Sequence, residues 1–393
     1  MKKIGILTYF WDENVGTVLQ AYSTLSLLKG RFNNEHVEII NYQPKEIKIK
    51  YIWNFLHFKK VIRYFSDVRV FNSFREHNLN IDSRPLITKD YSRAVNFVTG
   101  KFDIIIVGSD TVWEIETLES KNLAPFPNIY WIPSEISAKK VAFSVSSGTT
   151  TSERLDDKTL GTMRAVANDF DLIGIRDDIT EKLVQDLGIE DPDRIIRTPD
   201  PTFTYKIGST KIRQKLERIG IDLERPIAGI NLPSIHQLPA IEGFRSKIIE
   251  YLRSNGFQVL VLNNITGDKG VFTLPSVTPF EWAELFKYLT ISITDRFHGA
   301  IFALKNLTPV IAIDCQTKRF TAESDSKTRS LLKEFDLDTN FHFNINDIEM
   351  NQDLLFQCID EAHANFDKVK VERKLAEMEM RCSQFVDKIE MLL

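Results

Sequence analysis

Cysteine is scarce: Cys315, Cys358 and Cys382 are the only three in the chain. None falls in a CxxC or CxxH spacing, so neither a structural zinc site nor a dithiol redox pair is expected. A reducing, cytoplasmic setting and no structural metal follow as expectations. Long apolar runs are missing too; none approaches the roughly 20 residues that cross a bilayer. Two N-terminal lysines precede an apolar stretch, but Asp12 and Glu13 interrupt it before a signal-peptide core forms. That stretch is expected to be a buried first strand of a protein that is soluble and at most peripheral to a membrane. Positive charge is not in excess. The formal net charge of -4 excludes a global field that gathers nucleic acid, so any anion site must be a local cluster. Glycine-rich phosphate loops are also lacking: Gly16 stands alone, in neither a GxGxxG nor a Walker pattern. No short-period repeat or low-complexity tract occurs.

What is present is the balance of a globular chain, 43% hydrophobic and 26% charged, over a length that suits two domains. Apolar runs of strand length alternate with amphipathic stretches of helical length. KKIGILTY, VEIINY, FDIIIVGSD, KKVAFSVS, DLIGIR and DRIIRTPDP are strand candidates in the first half, with helices at VLQAYSTLSLLKG and ITEKLVQDLG. RPIAGINLP, FQVLVLNN, ISITD and PVIAID form a second series, interleaved with FRSKIIEYLRSNG, PFEWAELFKYLT and AIFALKNL. This order predicts two doubly wound, Rossmann-like α/β domains with parallel sheets. The expected divisions are 1–205, 206–345 and a helical tail over 346–393 that packs back across the domains. The join is expected in the polar stretch TYKIGSTKIRQKLERIG.

Ligands of open parallel sheets bind at the carboxyl ends of strands, which directs attention to four loops. In the first, Asn14, Gly16 and Thr17 precede a helix whose first N–H groups lack intrahelical partners; an anion or sugar-hydroxyl site competes there with ordinary capping. In the second, a fully apolar strand ends in Gly108, Ser109 and Asp110. Asp110 is either a cap or a carboxylate able to take a hydroxyl proton. Trp113 behind it offers a ring on which a sugar could stack, against the simpler fate of core packing. In the third, Arg176 follows a strand while Asp177 and Asp178 start a helix, where acidic groups are favourable caps. Arg176 suits a carboxylate or phosphate bidentately, and a salt bridge to a neighbouring aspartate explains it equally well. The fourth, ISITDRFHGAIFALKN, carries the strongest signal. Arg296, His298 and a helix start lie together between a buried strand and a buried helix, an anion pocket with a group that exchanges protons near neutral pH.

These segments, in this order, resemble the polysaccharide pyruvyl transferase family. The opening GILTYFWDENVGTVLQAYS is similar to that family's first strand, loop and helix, with its Asn-x-Gly-x-x-x-Gln pattern at Asn14, Gly16 and Gln20. FDIIIVGSDTVW, KKVAFSVSSGT, IGIRDD, the DPTF of Asp200 to Phe203, and TDRFHGAIFAL continue the match from about Lys2 to Asp314. The resemblance implies a GT-B-like pair of Rossmann domains with the active site in the interdomain cleft. It implies phosphoenolpyruvate as donor, a pyruvyl ketal on a sugar of a polysaccharide or lipid-linked oligosaccharide as product, and no cofactor or metal. The family's donor-binding arginine and Arg-x-His unit fall on Arg176, Arg296 and His298. Thr17 stands where alanine is frequent and Asp177 where glutamate often follows the arginine; neither removes a donor-binding group. His298 is then the expected proton-transfer or phosphate-binding residue and Asp110 the expected acceptor base, while Asn14, Gly16, Thr17, Gln20 and Trp113 would line the acceptor side.

Two other functions fit the same pattern: a nucleotide-sugar glycosyltransferase of the same shape, separable by donor competition, and a non-catalytic sugar-binding relative. The segment 45–75 stands apart. Lys45, Lys48, Lys50, Lys59, Lys60, Arg63, Arg69 and Arg75 interleave there with Trp53, Phe55, Phe58, Phe65 and Phe71, opposed by Glu46 and Asp67. It is expected to be either an amphipathic helix, basic outside and aromatic inside, or a flap that touches an anionic membrane or a lipid-linked acceptor.

Overall fold

The computed structural model describes residues 1–43, 58–115, 126–189, 191–233, 242–262, 270–314, 326–344 and 352–393. The chain forms two compact units: Met1–Tyr205 with Met378–Leu393, and Lys206–Glu377.

The first unit is built on strands β1 (Lys3–Leu7), β2 (His36–Ile39), β3 (Tyr42–Gln43), β4 (Leu86–Ile87), β5 (Ile104–Val107), β6 (Lys139–Val145), β7 (Leu172–Ile175) and β8 (Ile195–Arg197). Six of them form one sheet in the order β2-β1-β5-β6-β7-β8, every pair parallel, while β3 and β4 make a separate two-stranded parallel sheet. The central strands are runs of Ile, Val and Leu because a parallel sheet covered by helices buries both faces. All of Ile104–Val107 and Leu172–Ile175 is buried. The chain winds outward from β1 to β2 and then returns to β5 on the other side of β1. Strand order therefore reverses between β1 and β5, a position where loops diverge and leave a crevice at the carboxyl ends.

The second unit repeats the plan with β9 (Ile227–Asn231), β10 (Gln258–Val261), β11 (Phe272–Thr273), β12 (Ile291–Thr294), β13 (Val310–Asp314) and β14 (His342–Asn344), in the order β11-β10-β9-β12-β13-β14, again parallel throughout. Its reversal lies between β9 and β12. The polar stretch expected to be a plain join contains a helix, Ile212–Arg218, because Ile212 and Leu216 lie on one face and are fully buried.

The tail consists of two helices, Gln352–Asn365 and Lys368–Glu390. Within the first unit, Phe385 stacks on Phe143 at 5.0 Å and lies over Gly174, where a Cβ would come within 2.8 Å of its ring. Of the basic segment, residues 44–57 lie outside the described residues. The helix Phe58–Asn78 that follows buries Phe71 and Phe74 and exposes Arg69, but it also exposes Phe65 and buries most of Arg75 against the Phe10 and Asp12 carbonyls, so the amphipathic arrangement holds only in part. Among the described residues no helix is long and apolar enough to cross a membrane.

Candidate functional site

Each unit gathers polar residues at its own reversal point, and the first has a further group after β7 and β8. In the first, the helix Val15–Arg31 follows β1 and is capped by Asn14, whose Oδ1 accepts from the N–H of Gly16 at 3.0 Å and of Thr17 at 3.4 Å. Capping chemistry thus accounts for Asn14. One helical turn apart, Thr17 and Gln20 share a face. The Thr17 hydroxyl donates to Asp110 Oδ2 at 3.1 Å, bridging the loops after β1 and β5 across the reversal.

Asp110 itself is held in the left-handed region, at φ 82. That conformation costs a non-glycine residue of order 1–3 kcal/mol and persists only where neighbours impose it. Here the Ser146 N–H donates to the Asp110 carbonyl at 3.0 Å, and the Thr111 N–H donates to Oδ1 at 2.8 Å. Gly108, two residues earlier, has φ 120 and passes so near β6 that a Cβ would lie 2.2 Å from the Phe143 carbonyl oxygen; glycine is required for that approach.

Trp113 is a correction. Its ring is fully buried, stacked on Trp131 at 4.3 Å, and its Nε1 donates to the Tyr130 carbonyl at 3.2 Å. The ring belongs to the core and presents no face to a sugar.

After β7, Asp177 caps the helix Asp178–Leu187 by accepting from the Thr180 N–H at 3.0 Å. Arg176 is 3% exposed at its side chain, and its Nη1 donates to Asp200 Oδ2 at 2.8 Å. The same oxygen accepts from Gln20 Nε2 at 2.6 Å, while Asp200 Oδ1 accepts from the Thr202 N–H at 2.9 Å and hydroxyl at 2.6 Å. Arg176, Gln20 and Asp200 therefore form one buried network, and the salt-bridge alternative for Arg176 is what the geometry displays. Asp200 was marked in the sequence only as part of DPTF; its role depends on partners 24 and 180 residues away.

In the second unit, β12 leads through Asp295 and Arg296 into the helix Phe297–Lys305. The Asp295 N–H donates to the Asn231 carbonyl at the end of β9, tying the two loops across that reversal at 3.0 Å. Arg296 occupies the N-cap in extended conformation and supplies no side-chain cap. Its guanidinium is half exposed and pairs through Nε with the buried Asp295 carboxylate at 3.3 Å. His298 sits in the first turn, its ring edge-on to Phe297 at 5.4 Å. First-turn N–H groups, an arginine and a histidine at one helix start make an arrangement suited to an anion. The turn is tight because residue 299 is glycine: a Cβ there would lie 2.5 Å from Thr294 Oγ1. Gly299→Ala should cost about 1–3 kcal/mol by overpacking and shift the helix start. A melting midpoint unchanged from wild type would refute this. Among the described residues no group of three His, Cys, Asp or Glu side chains is arranged to hold a metal.

Residues 14–317 match the family described as Polysaccharide pyruvyl transferase. No curated protein matches the chain. Among solved structures, the UDP-GlcNAc 2-epimerase from Methanocaldococcus jannaschii is 11% identical, with a TM-score of 0.54 over 99% of both chains. The S. aureus MnaA–UDP co-structure gives 9% identity and 0.55 over 100% of this chain and 98% of that one. A kitacinnamycin glycotransferase gives 10% identity and 0.55 over 100% of this chain and 99% of that one. At these identities the likeness speaks for the fold, which is GT-B-type: two parallel-sheet α/β domains with a helical C-terminal tail.

Proposed function

Since this chain belongs to the polysaccharide pyruvyl transferase family, we propose that it moves a pyruvyl group from phosphoenolpyruvate onto two hydroxyls of one sugar, in a polysaccharide or lipid-linked oligosaccharide, releasing phosphate. The observation that carries this reading is the start of the helix Phe297–Lys305, where a half-exposed arginine and a histidine flank N–H groups that no N-cap side chain occupies. Arg296 grips the donor's phosphate or carboxylate bidentately. His298 binds the phosphate or transfers a proton as the methylene becomes a methyl. Fixed donors around the departing phosphate stabilise its charge, commonly the largest catalytic term. The charge of Arg176 is already offset by Asp200 at 2.8 Å. We therefore assign it to holding the first unit's loops and leave anion binding to Arg296 and His298. Asp110, held by Thr17, serves as acceptor base.

The acceptor's lipid carrier would bring the enzyme to the inner face of the membrane, with the basic segment 45–75 as the surface of contact. The donor assignment is tested by thermal denaturation with ligands. A ligand at 100 times its Kd stabilises the folded state by about 2.7 kcal/mol. Phosphoenolpyruvate should raise the melting temperature and uridine diphosphate sugars should not. The reverse result would make the protein a nucleotide-sugar enzyme instead.

A further inference from the structure

Strand β9, at the reversal point of the second unit, reads Ile-Ala-Gly-Ile-Asn and is buried throughout. Asn231 closes it with 8% exposure. Asparagine is a poor strand residue, and an amide shut away from water without a hydrogen bond is unfavourable. The structural work at position 231 is done by the backbone: its carbonyl accepts from the Asp295 N–H at 3.0 Å and from the Thr294 hydroxyl at 3.3 Å. The side-chain amide has no hydrogen-bond partner among the described residues. A polar group that is costly to bury and is not used by the fold is a candidate to meet a ligand.

The register fixes the face on which that amide lies. Asn231 is the ladder partner of Thr294, so the two side chains leave the sheet on the same side, one strand spacing of about 4.8 Å apart. The start of the helix Phe297–Lys305 covers this side: a Cβ on Gly299 would lie 2.5 Å from Thr294 Oγ1. The same hydroxyl oxygen accepts from the Arg296 N–H at 3.0 Å and holds the turn down on the sheet. Asn231 therefore sits beside the helix start that carries Arg296 and His298. Exposure falls from 49% at the Arg296 side chain, through half-buried Phe297 and His298, to 8% at Asn231. The arginine stands at the rim and the amide at the floor.

We propose that Asn231 is a donor-binding residue, its Nδ2 giving a hydrogen bond to the carboxylate of phosphoenolpyruvate while Arg296, His298 and the first-turn N–H groups take the phosphate. This rests on the pyruvyl-transfer reading and adds to it a division between the donor's two anionic groups. The phosphate suits a guanidinium and a helix start, where charge and several N–H donors converge. The carboxylate, attached to C2, then falls to the end of the neighbouring strand. A neutral amide serves it there, because the carboxylate carries the same charge before, during and after transfer and needs orientation more than charge stabilisation. The hydrogen bond from Asn231 is accordingly as strong with bound donor as in the transition state. It contributes to binding and leaves the rate of the bound complex alone.

Calorimetric binding of phosphoenolpyruvate and of inorganic phosphate to the full chain, with steady-state kinetics alongside, tests this division. Asn231→Leu keeps the size of the side chain and the backbone carbonyl that ties Asp295 and Thr294. It should weaken phosphoenolpyruvate roughly 10- to 100-fold, the worth of one hydrogen bond to a charged group, with inorganic phosphate within about twofold of wild type. KM for phosphoenolpyruvate should rise by the same factor while kcat stays within about threefold. Asn231→Asp, which sets one carboxylate against another, should bind phosphoenolpyruvate at least as weakly, and the gap to wild type should narrow as falling pH protonates the introduced carboxyl. That variant also serves if Asn231→Leu does not fold. A merely structural role changes the affinity for both anions together or for neither, so equal changes in folded Asn231→Leu overturn the assignment and leave pyruvyl transfer standing. A fall in kcat with KM unchanged overturns it too. Wild-type protein that binds inorganic phosphate but not phosphoenolpyruvate overturns both.

Discussion

Arg296→Lys should lose roughly 99% or more of pyruvyl transfer while its melting temperature stays within a degree or two of wild type. The side chain is half exposed and its partner Asp295 keeps a cationic neighbour, so little folding energy depends on the guanidinium. Its value lies in shape. A guanidinium offers two parallel N–H donors to a phosphate or carboxylate, whereas an ammonium offers a point charge. Removing one well-placed donor to a developing oxyanion typically costs about 10²- to 10³-fold in turnover. His298→Ala should be as severe, since it removes the imidazole at that helix start able to pass a proton. If Arg296 acts mainly on bound donor, KM for phosphoenolpyruvate rises with kcat little changed. If it acts on the departing phosphate, kcat and kcat/KM fall together. Steady-state kinetics of both folded variants decides between these. Normal turnover in both would remove the helix start from the chemistry.

How much of this was readable beforehand follows from the range of the interactions. The central strands such as Ile104–Val107 and Leu172–Ile175 declared themselves because a doubly covered parallel strand is buried at every position, and the loops at their carboxyl ends followed. Asn14 and Asp177 were readable as caps because their partners lie two or three residues ahead. Trp113 was not: whether an indole faces solvent or Trp131 depends on a chain segment 18 residues on, and no local periodicity encodes it. The short edge strands β11 and β14 escaped notice since two or three residues give no alternation to count. Asn231 carried no signal either. In RPIAGINLP it reads as the end of a strand, and the helix start beside it is fixed by Thr294, 63 residues on. The rule that ligands gather at strand ends named four loops. The reversal of strand order then selected among them, joining Thr17 to Asp110 in one unit and Asp295 to Asn231 in the other.

Asp200→Ala should be among the most destabilising single substitutions in the first unit. The Asp200 side chain is fully buried and accepts hydrogen bonds from Arg176, Gln20 and Thr202, the last through both N–H and hydroxyl. Truncation removes the nearer of two buried carboxylates beside a guanidinium with 3% exposure, leaving Asp177 Oδ2 at 3.9 Å from its Nε. Breaking a buried pair from one side costs about 3–5 kcal/mol, because the remaining charge loses its nearer partner in a medium that solvates it poorly. For a unit of this size that corresponds to a fall of roughly 10 °C in its melting transition. Losing Gln20 alone should be milder, about 1 kcal/mol, since the carboxylate keeps Arg176 and Thr202. The decisive comparison is the double variant Arg176→Met with Asp200→Leu. Removing both charges together eliminates the ion that lost its nearer partner, so the double variant should be more stable than Asp200→Ala despite carrying one more change. Chemical denaturation of the four proteins measures this directly. An Asp200→Ala cost below about 1 kcal/mol would mean that water reaches Arg176 and neutralises the penalty. In that event the guanidinium is accessible after all, and its assignment returns from holding loops to binding the donor.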